Sequence, residues 1–145
     1  MQALDDITNP HGTTATLRRA IETVIRLFLT AGDSEISSLL LLRGLVDDRH
    51  SEAAQALKSL RVTLPPAEPS GVPATRRHDV VMAGFSRPAS QAQGLGSQAA
   101  RDAGRPTSTG DVAAALIESD EGLRTLLGAS PADYRAALGG VAREE

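Results

Sequence analysis

Apolar residues in the first part of the chain recur every three or four positions, which is the spacing of one face of an α-helix. The clearest such stretch runs from Thr16 to Ala31 and ends at Gly32, since glycine commonly stops a helix. A second helix is expected from Leu39 to Val46. It is apolar on nearly every side and is therefore expected to be buried. Ser51 is expected to cap a third helix that reaches Leu60.

The helical pattern breaks between residues 63 and 84. Four prolines between Leu64 and Pro73 remove backbone donors and predict an extended linker, and Asp79 to Met82 has the composition of a short strand. Helical spacing then returns, with glycines at the expected stops. The predicted helices of this second half are Ala89 to Ala103, Gly110 to Ile117, Glu121 to Leu127 and Pro131 to Leu138.

The same order of elements occurs twice along the chain. It consists of a long helix, a glycine, a capped apolar helix, an acidic turn and a short Leu/Ala-rich helix. Gly32 and Gly104 are 72 positions apart, and the expected caps Ser38 and Thr109 are 71 apart. This nearly constant offset indicates an internal duplication, although two unrelated helical triplets with glycine stops would also look alike.

Composition favours an all-α fold in a single domain over residues 1–145. The chain is 41% hydrophobic but only 2% aromatic, and its apolar content is dominated by Ala and Leu, which are strong helix formers. The two repeats are expected at about residues 13–62 and 85–142, joined by a Pro-rich linker at about residues 63–84.

Composition and charge exclude several classes of function. The chain has no cysteine, which excludes disulfides and thiolate chemistry. Its net charge of −3 argues against a nucleic-acid-binding protein, and its longest apolar run, Leu39 to Leu42, is too short to cross a membrane. Residues 1–6 lack the pattern of a secretory signal, so a cytoplasmic protein is expected. Lys58 is the only lysine among 15 Lys and Arg residues, a bias typical of GC-rich genomes such as those of actinobacteria.

The sequence contains no motif that points to an enzyme. It lacks a phosphate-binding G-x-x-x-x-G-K-[ST] loop. Gly94 to Ala99 fits the pattern G-x-G-x-x-A, but without the preceding strand that a dinucleotide site requires, so close packing between helices is the better interpretation. The three histidines lack the spacing of metal ligands. We therefore expect a protein without catalytic activity, cofactor or metal.

Each half of the chain contains an ordered series of short motifs. In the second half they are Phe85-Ser86-Arg87-Pro88-Ala89, Ala103-Gly104, Thr109, Val112, Leu116-Ile117 and Leu126-Leu127-Gly128. In the first half they are Arg18-Arg19, Ile21, Gly32, Ser38, Leu41-Leu42, Gly44-Leu45-Val46, Ala53-Ala54, Leu57 and Leu60. Over roughly residues 13–142 this order resembles the N-terminal domain of the Clp AAA+ ATPases, closest to the C-type. The resemblance implies two pseudo-symmetric repeats with about seven or eight helices in all.

The resemblance also implies a set of ligand-binding residues. The phenylalanine of the family repeat corresponds to Phe85 in the second repeat and is replaced by Thr13 in the first. The family's Glu-His pair, counted from the expected caps, is replaced by Leu39-Leu40 and by Gly110-Asp111. In some members that Glu helps to recognise phosphorylated arginine, so its replacement argues against such recognition here. The implied ligand-binding residues are Phe85, Arg87, Thr13, Leu39, Leu40 and Asp111.

Two functions follow from this resemblance. The first is a binding module that holds peptides, protein substrates or adaptors in the groove between the repeats, in the service of a Clp ATPase. Phe85 beside Arg87 would then be an exposed peptide anchor, or alternatively a hydrophobic staple packed on its own helix. The second function is sequestration of a small molecule, such as an antibiotic or a cyclic peptide, for self-resistance. The apolar pair Leu39-Leu40 motivates this alternative.

Overall fold

Seven α-helices make up the regular structure in the computed structural model, which describes residues 10–31, 35–64 and 85–144. Within these ranges there is no β-strand, so the predicted all-α class is confirmed. The helices are α1 (Ala15–Ala31), α2 (Ser38–Asp47), α3 (Glu52–Ser59), α4 (Arg87–Asp102), α5 (Thr109–Ser119), α6 (Glu121–Leu127) and α7 (Pro131–Gly139).

The bounds of α6 are those predicted, and the other helices differ from the predicted bounds by one or two residues at one or both ends. Helix α4, for example, begins at Arg87 rather than Ala89. Ser86 accepts a hydrogen bond from the Ala89 N–H group, and Pro88 lies in the first turn, where a helix needs no donor. Gly32, most of the predicted linker and the possible strand at 79–82 lie outside the described residues.

The predicted caps of α2 and α5 were wrong by one residue. Ser37, not Ser38, caps α2 and accepts a hydrogen bond from the Leu40 N–H group. Ser108, not Thr109, caps α5 in the same way and accepts from the Asp111 N–H group. In each pair of adjacent hydroxyl residues the first has an extended backbone and the second is already helical, so only the first has the geometry of a cap.

The core is a single cluster of mostly aliphatic side chains with α5 at its centre. Residues 112–117 of α5 are all buried, and this helix packs against each of the other six helices. The predicted burial of α2 is confirmed, since its Leu41, Leu42 and Leu45 have no exposed surface. Burial on several sides explains why neither helix shows the polar face that a surface helix normally carries.

Two glycines allow close helix crossings. A Cβ atom on Gly44 of α2 would lie 2.0 Å from Val24 Cγ2 of α1. A Cβ atom on Gly96 of α4 would lie 3.0 Å from the backbone of Asp111 and Val112 in α5. The G-x-G-x-x-A pattern thus lies inside a helix, and Gly96 has the packing role that was favoured over a dinucleotide site.

Two short backbone pairings connect the halves of the chain. Thr13 forms a parallel bridge with Thr107, and Ile36 forms one with Phe85. We name them the α1–α5 junction (residues 12–14 with 107–111) and the α2–α4 junction (residues 36–40 with 85–87). The pairings are reciprocal, because each joins the residues before the long helix of one half to those before the capped helix of the other.

Corresponding positions in the two junctions keep the offset seen in the sequence. Thr13 and Phe85 are 72 positions apart, and Ile36 and Thr107 are 71 apart. The Thr14 N–H group donates to Thr107 O at 2.9 Å, and the Ser86 N–H group donates to Ile36 O at 2.8 Å. The same main-chain hydrogen bond therefore occurs at both junctions.

Candidate functional site

A recess of about 500 Å³ lies between α1 and α4. Helix α1 contributes the apolar side chains of Leu17 and Ile21 and the charged side chains of Arg18 and Glu22. We name this recess the α1–α4 groove. The residues that line it are Gly12, Thr13, Leu17, Arg18, Ile21, Glu22, Gln93, Ser97, Thr107 and Val112.

The α1–α5 junction fixes one end of this groove. Gly12 has a φ of 77°, a left-handed conformation that glycine adopts without strain, and no atom lies within 4 Å of the position that a Cβ atom would take there. The turn at Gly12 directs Thr13 along Thr107, and the Thr107 N–H group donates to Gly12 O at 2.9 Å. The main chain of both halves is therefore held at the edge of the groove.

A carboxylate from the C-terminal segment lies at the same junction. Both oxygens of Glu144 accept two hydrogen bonds each. Oε2 accepts from Thr14 Oγ1 at 2.6 Å and from the Thr109 N–H group at 2.8 Å. Oε1 accepts from the Glu52 N–H group at 2.9 Å and from the Thr109 hydroxyl. The carboxylate thus lies at the starts of α1, α3 and α5, where the helix dipoles favour negative charge.

Glu52 completes this arrangement in the opposite direction. Its carboxylate, on a residue only 6% exposed, accepts from Ser108 Oγ at 2.8 Å and from the Glu144 N–H group at 3.0 Å. Glu52 and Glu144 therefore bind each other's main chain through their side chains. Thr109 Oγ1 also accepts from the Ala53 N–H group at 3.2 Å, which links α3 directly to α5.

Arg105 and Asp111 form an ion pair beside these two glutamates. The Arg105 guanidinium contacts both oxygens of Asp111, and one of these contacts is 2.7 Å long. The hydrogen bonds to Asp111 raise the pKa of Arg105 above its ordinary value. Asp111 also accepts from the Ser108 N–H group at 2.9 Å, which completes a capping box at α5.

Tyr134 of α7 lies beneath the same junction. Its side chain is fully buried, and its hydroxyl donates to Ala53 O at 3.0 Å. Burial, together with the nearby negative charges of Glu52 and Glu144, raises the pKa of Tyr134 well above its ordinary value. The phenol is therefore a neutral hydrogen-bond donor at physiological pH.

The six residues implied by the resemblance fall into two groups, one at each junction. At the α1–α5 junction, Thr13 lines the groove, whereas Asp111 is held by Arg105 and by its own capping box. The other group lies at the α2–α4 junction. There Phe85 and Leu39 are half-buried against the core, Leu40 is buried and Arg87 is exposed.

Phe85 is half-buried and packs against the hydrophobic core, whereas Ser90, the N4 residue of α4 that a staple would contact, is polar and exposed. With Ser37 and Ser108 as the caps, the positions of the family's Glu-His pair move to Ser38-Leu39 and Thr109-Gly110. Both replacements of the Glu are still neutral, and both are hydroxyl residues.

Sequence reasoning missed Glu144, Glu52 and Arg105. Glu52 was missed because it lies in the first turn of a helix, where an acidic residue is common and does not by itself indicate a site. Glu144 makes contacts with residues 35, 92 and 130 positions away, and no local pattern reports such distances.

No protein-family model matches the chain, and no curated protein matches it significantly. Among the described residues, no three His, Asp or Glu side chains are arranged to share a metal ion. None of the helices of the described ranges is both long enough and apolar enough to cross a membrane.

Proposed function

We propose that this chain is a non-enzymatic binding module of the Clp N-terminal type, which holds peptide segments of substrate or adaptor proteins in the α1–α4 groove. The observation that carries the proposal is the reciprocal pairing at the two junctions, which supports a duplicated fold with a groove between its first helices. We thus propose three things together: a duplicated fold, a domain of the Clp N-terminal type, and peptide segments of proteins as its partners.

The lining of the groove suits a peptide of mixed character. The half-buried Ile21, with the small exposed part of Leu17, offers apolar contacts, while Arg18 and Glu22 offer charges of both signs on one wall. Aliphatic side chains of a peptide would pack on the former and polar side chains would pair with the latter. The proposed ligand is therefore an extended segment with alternating aliphatic and polar residues.

Substitution in the groove tests the proposal. A displayed library of short peptides is selected on the chain, and the affinity of the selected peptides is measured by fluorescence polarisation. Ile21→Arg places a charge in the groove, and we expect it to weaken binding about tenfold or more. Ile25→Arg is the matched control, since Ile25 is on the same helix and 38% exposed, and we expect less than about a twofold change.

Two results would overturn the groove assignment. One is a library from which no peptide is selected, and the other is a selected peptide whose affinity Ile21→Arg leaves unchanged in a variant that melts normally. Phe85→Ala, measured with the same peptides, tests whether the α2–α4 junction belongs to the binding surface.

A second candidate is sequestration of a small molecule, such as an antibiotic or a cyclic peptide. The volume of the groove, about 500 Å³, favours it because pockets for small ligands typically have about 300 to 1,000 Å³. A thermal-shift screen against cyclic peptides and other natural products separates the two candidates. A compound that stabilises the native chain but not Ile21→Arg supports sequestration, and a screen without such a compound rejects it.

A further inference from the structure

The segment that follows α7 turns back across the molecule. After Gly139 and Gly140 the chain leaves the helix, and residues 141–144 have no regular structure. Val141 packs half-buried against the core, Arg143 is exposed, and Glu144 reaches the starts of α3 and α5. We name residues 140–144 the C-terminal strap.

The strap is held chiefly by one side chain. Its Glu144 carboxylate accepts hydrogen bonds from Thr14, Glu52 and Thr109, and each of the four donors is a hydroxyl or a main-chain N–H group. These donors belong to the starts of three helices that are fixed by the core, so the receptor for the carboxylate is built by the fold and not by the strap. The hydrogen bond from the Glu144 N–H group to Glu52 and the apolar contact of Val141 anchor the strap further.

The receptor for Glu144 adjoins the α1–α4 groove. A recess of about 340 Å³ contains Glu144 together with Thr13, Thr14 and Arg18. Thr13 and Arg18 also line the α1–α4 groove, so the two recesses share a wall. The strap therefore occupies a recess next to the α1–α4 groove, with Thr13 and Arg18 between them.

We infer that the C-terminal strap is an intramolecular competitor, which fills the carboxylate receptor beside the groove with Glu144 and is displaced by the carboxylate of an acidic peptide segment. The four donors that hold the Glu144 carboxylate are arranged for a carboxylate, so the peptide group that displaces it is expected to be a carboxylate too. This inference rests on the proposed binding function and adds to it a charged position in the ligand. Glu144 would then determine what fraction of the molecules have the carboxylate receptor free for a peptide.

Thiol labelling measures the opening of the strap. The native chain has no cysteine, so Val141→Cys introduces a single reactive group at a position that the closed strap half-buries. Glu144→Gln replaces one carboxylate oxygen by an amide that faces two donors, and we expect it to increase the labelling rate of the introduced thiol about fivefold or more. Glu144→Asp keeps the charge but shortens the side chain, and it should increase the rate as well.

Glu121→Gln is the matched control for this experiment, because Glu121 is an exposed acid in the first turn of α6. It should leave the labelling rate unchanged. Circular dichroism and thermal melting identify any variant that is unfolded. Equal labelling rates in the native background and in both folded Glu144 variants would overturn the inference.

A peptide copied from the strap tests the competition itself. The probe is the acetylated, C-terminally amidated peptide Val-Ala-Arg-Glu, which reproduces residues 141–144 and carries one carboxylate. We expect it to bind the full chain carrying Glu144→Gln at least about tenfold more tightly than the native chain, whose own strap occupies the receptor. The same peptide with Gln in place of Glu should bind neither protein.

The outcomes of the peptide experiment are distinct. Binding to neither protein, or equal binding to both, would show that Glu144 does not compete for this recess. If selected peptides bind the groove with an affinity that Glu144→Gln does not change, the proposed function stands and the role of the strap as a competitor is rejected. If the probe binds through its carboxylate but no groove peptide can be selected, the role of the strap stands and the proposed peptide-binding function is rejected.

Discussion

The α1–α5 and α2–α4 junctions share the same main-chain pairing but differ in the hydrogen bonds that their side chains make. Both contain a parallel bridge, the same N–H to carbonyl hydrogen bond and a serine cap on the following helix. At the first junction Thr109 binds a carboxylate and Ala53. At the second, the corresponding Ser38 is 5% exposed and its hydroxyl has no hydrogen-bond partner among the described residues.

The difference arises from what packs over each helix start. Gly110 in α5 leaves space for other elements, since a Cβ atom there would lie 2.7 Å from Glu52 Oε1 and 2.8 Å from Leu138 Cδ2. The corresponding residue in α2 is Leu39, which packs against the core. One glycine therefore admits the acidic start of α3 at one junction, whereas a leucine fills the equivalent place at the other. Main-chain pairing fixes the geometry, and single side chains determine whether a charged group can enter.

The largest effect is expected from Thr109→Val. Valine keeps the shape of the side chain but removes a donor to the Glu144 carboxylate and an acceptor for the buried Ala53 N–H group. We expect the free energy of unfolding to fall by about 2–3 kcal/mol, because the buried Ala53 N–H group is left without an acceptor and the Glu144 carboxylate loses one of its four donors. Urea denaturation measures the loss. A change below about 0.5 kcal/mol would contradict the account of this junction.

Ser38→Ala is the matched control at the α2–α4 junction. Ser38 occupies the position 71 residues before Thr109, and its hydroxyl makes no hydrogen bond within the described ranges. Removal of a buried, unsatisfied hydroxyl should leave stability unchanged or increase it by up to about 1 kcal/mol. A destabilisation comparable to that of Thr109→Val would mean that the two junctions are not chemically different.

A smaller loss in the free energy of unfolding is expected at alkaline pH. It arises from the ionisation of Tyr134, which lies beneath the α1–α5 junction. Because the pKa of Tyr134 is raised in the folded state, its contribution to stability is complete below about pH 10 and is lost as the pH rises further. The expected loss is about 1.4 kcal/mol for each pH unit above 10. Tyr134 is the only tyrosine in the chain, so the absorbance of tyrosinate records its ionisation alone.

The control for this measurement is Tyr134→Phe. This variant loses the hydrogen bond to Ala53 O, which should cost about 1 kcal/mol at neutral pH, but it removes this tyrosine's contribution to the alkaline loss. Tyrosinate absorbance that rises near pH 10 while the chain remains folded would contradict the burial argument.

The sequence predicted the helices well because their signals are local. The apolar period of α1, the prolines and serines at helix starts and the glycine after α6 each act within a few residues. The caps at Ser37 and Ser108 were missed by one residue because adjacent hydroxyl residues carry the same capping signal. Only the backbone conformation distinguishes them.

The site was less predictable because its contacts are distant along the chain. Thr13 was selected from the order of motifs, and it lines the α1–α4 groove. Asp111 was selected from the same order, but its carboxylate is held by Arg105 and the capping box. The binding of Glu144 by residues at the starts of three helices depends on the folded arrangement of those helices and has no counterpart in any local pattern.

The smallest effect is expected at the ends of α3 and α6, a further pair of corresponding positions. Arg61 follows α3 with a φ of 58°, and Gly128 follows α6 with a φ of 68°. Glycine adopts this left-handed conformation without strain, whereas arginine does not, so Arg61→Gly should raise the free energy of unfolding by about 0.5–1 kcal/mol. Arg61→Ala separates the causes, because it removes the long side chain but keeps the strain. Equal gains from Arg61→Ala and Arg61→Gly, measured by thermal and urea denaturation, would show that the backbone conformation is not what distinguishes the two helix ends.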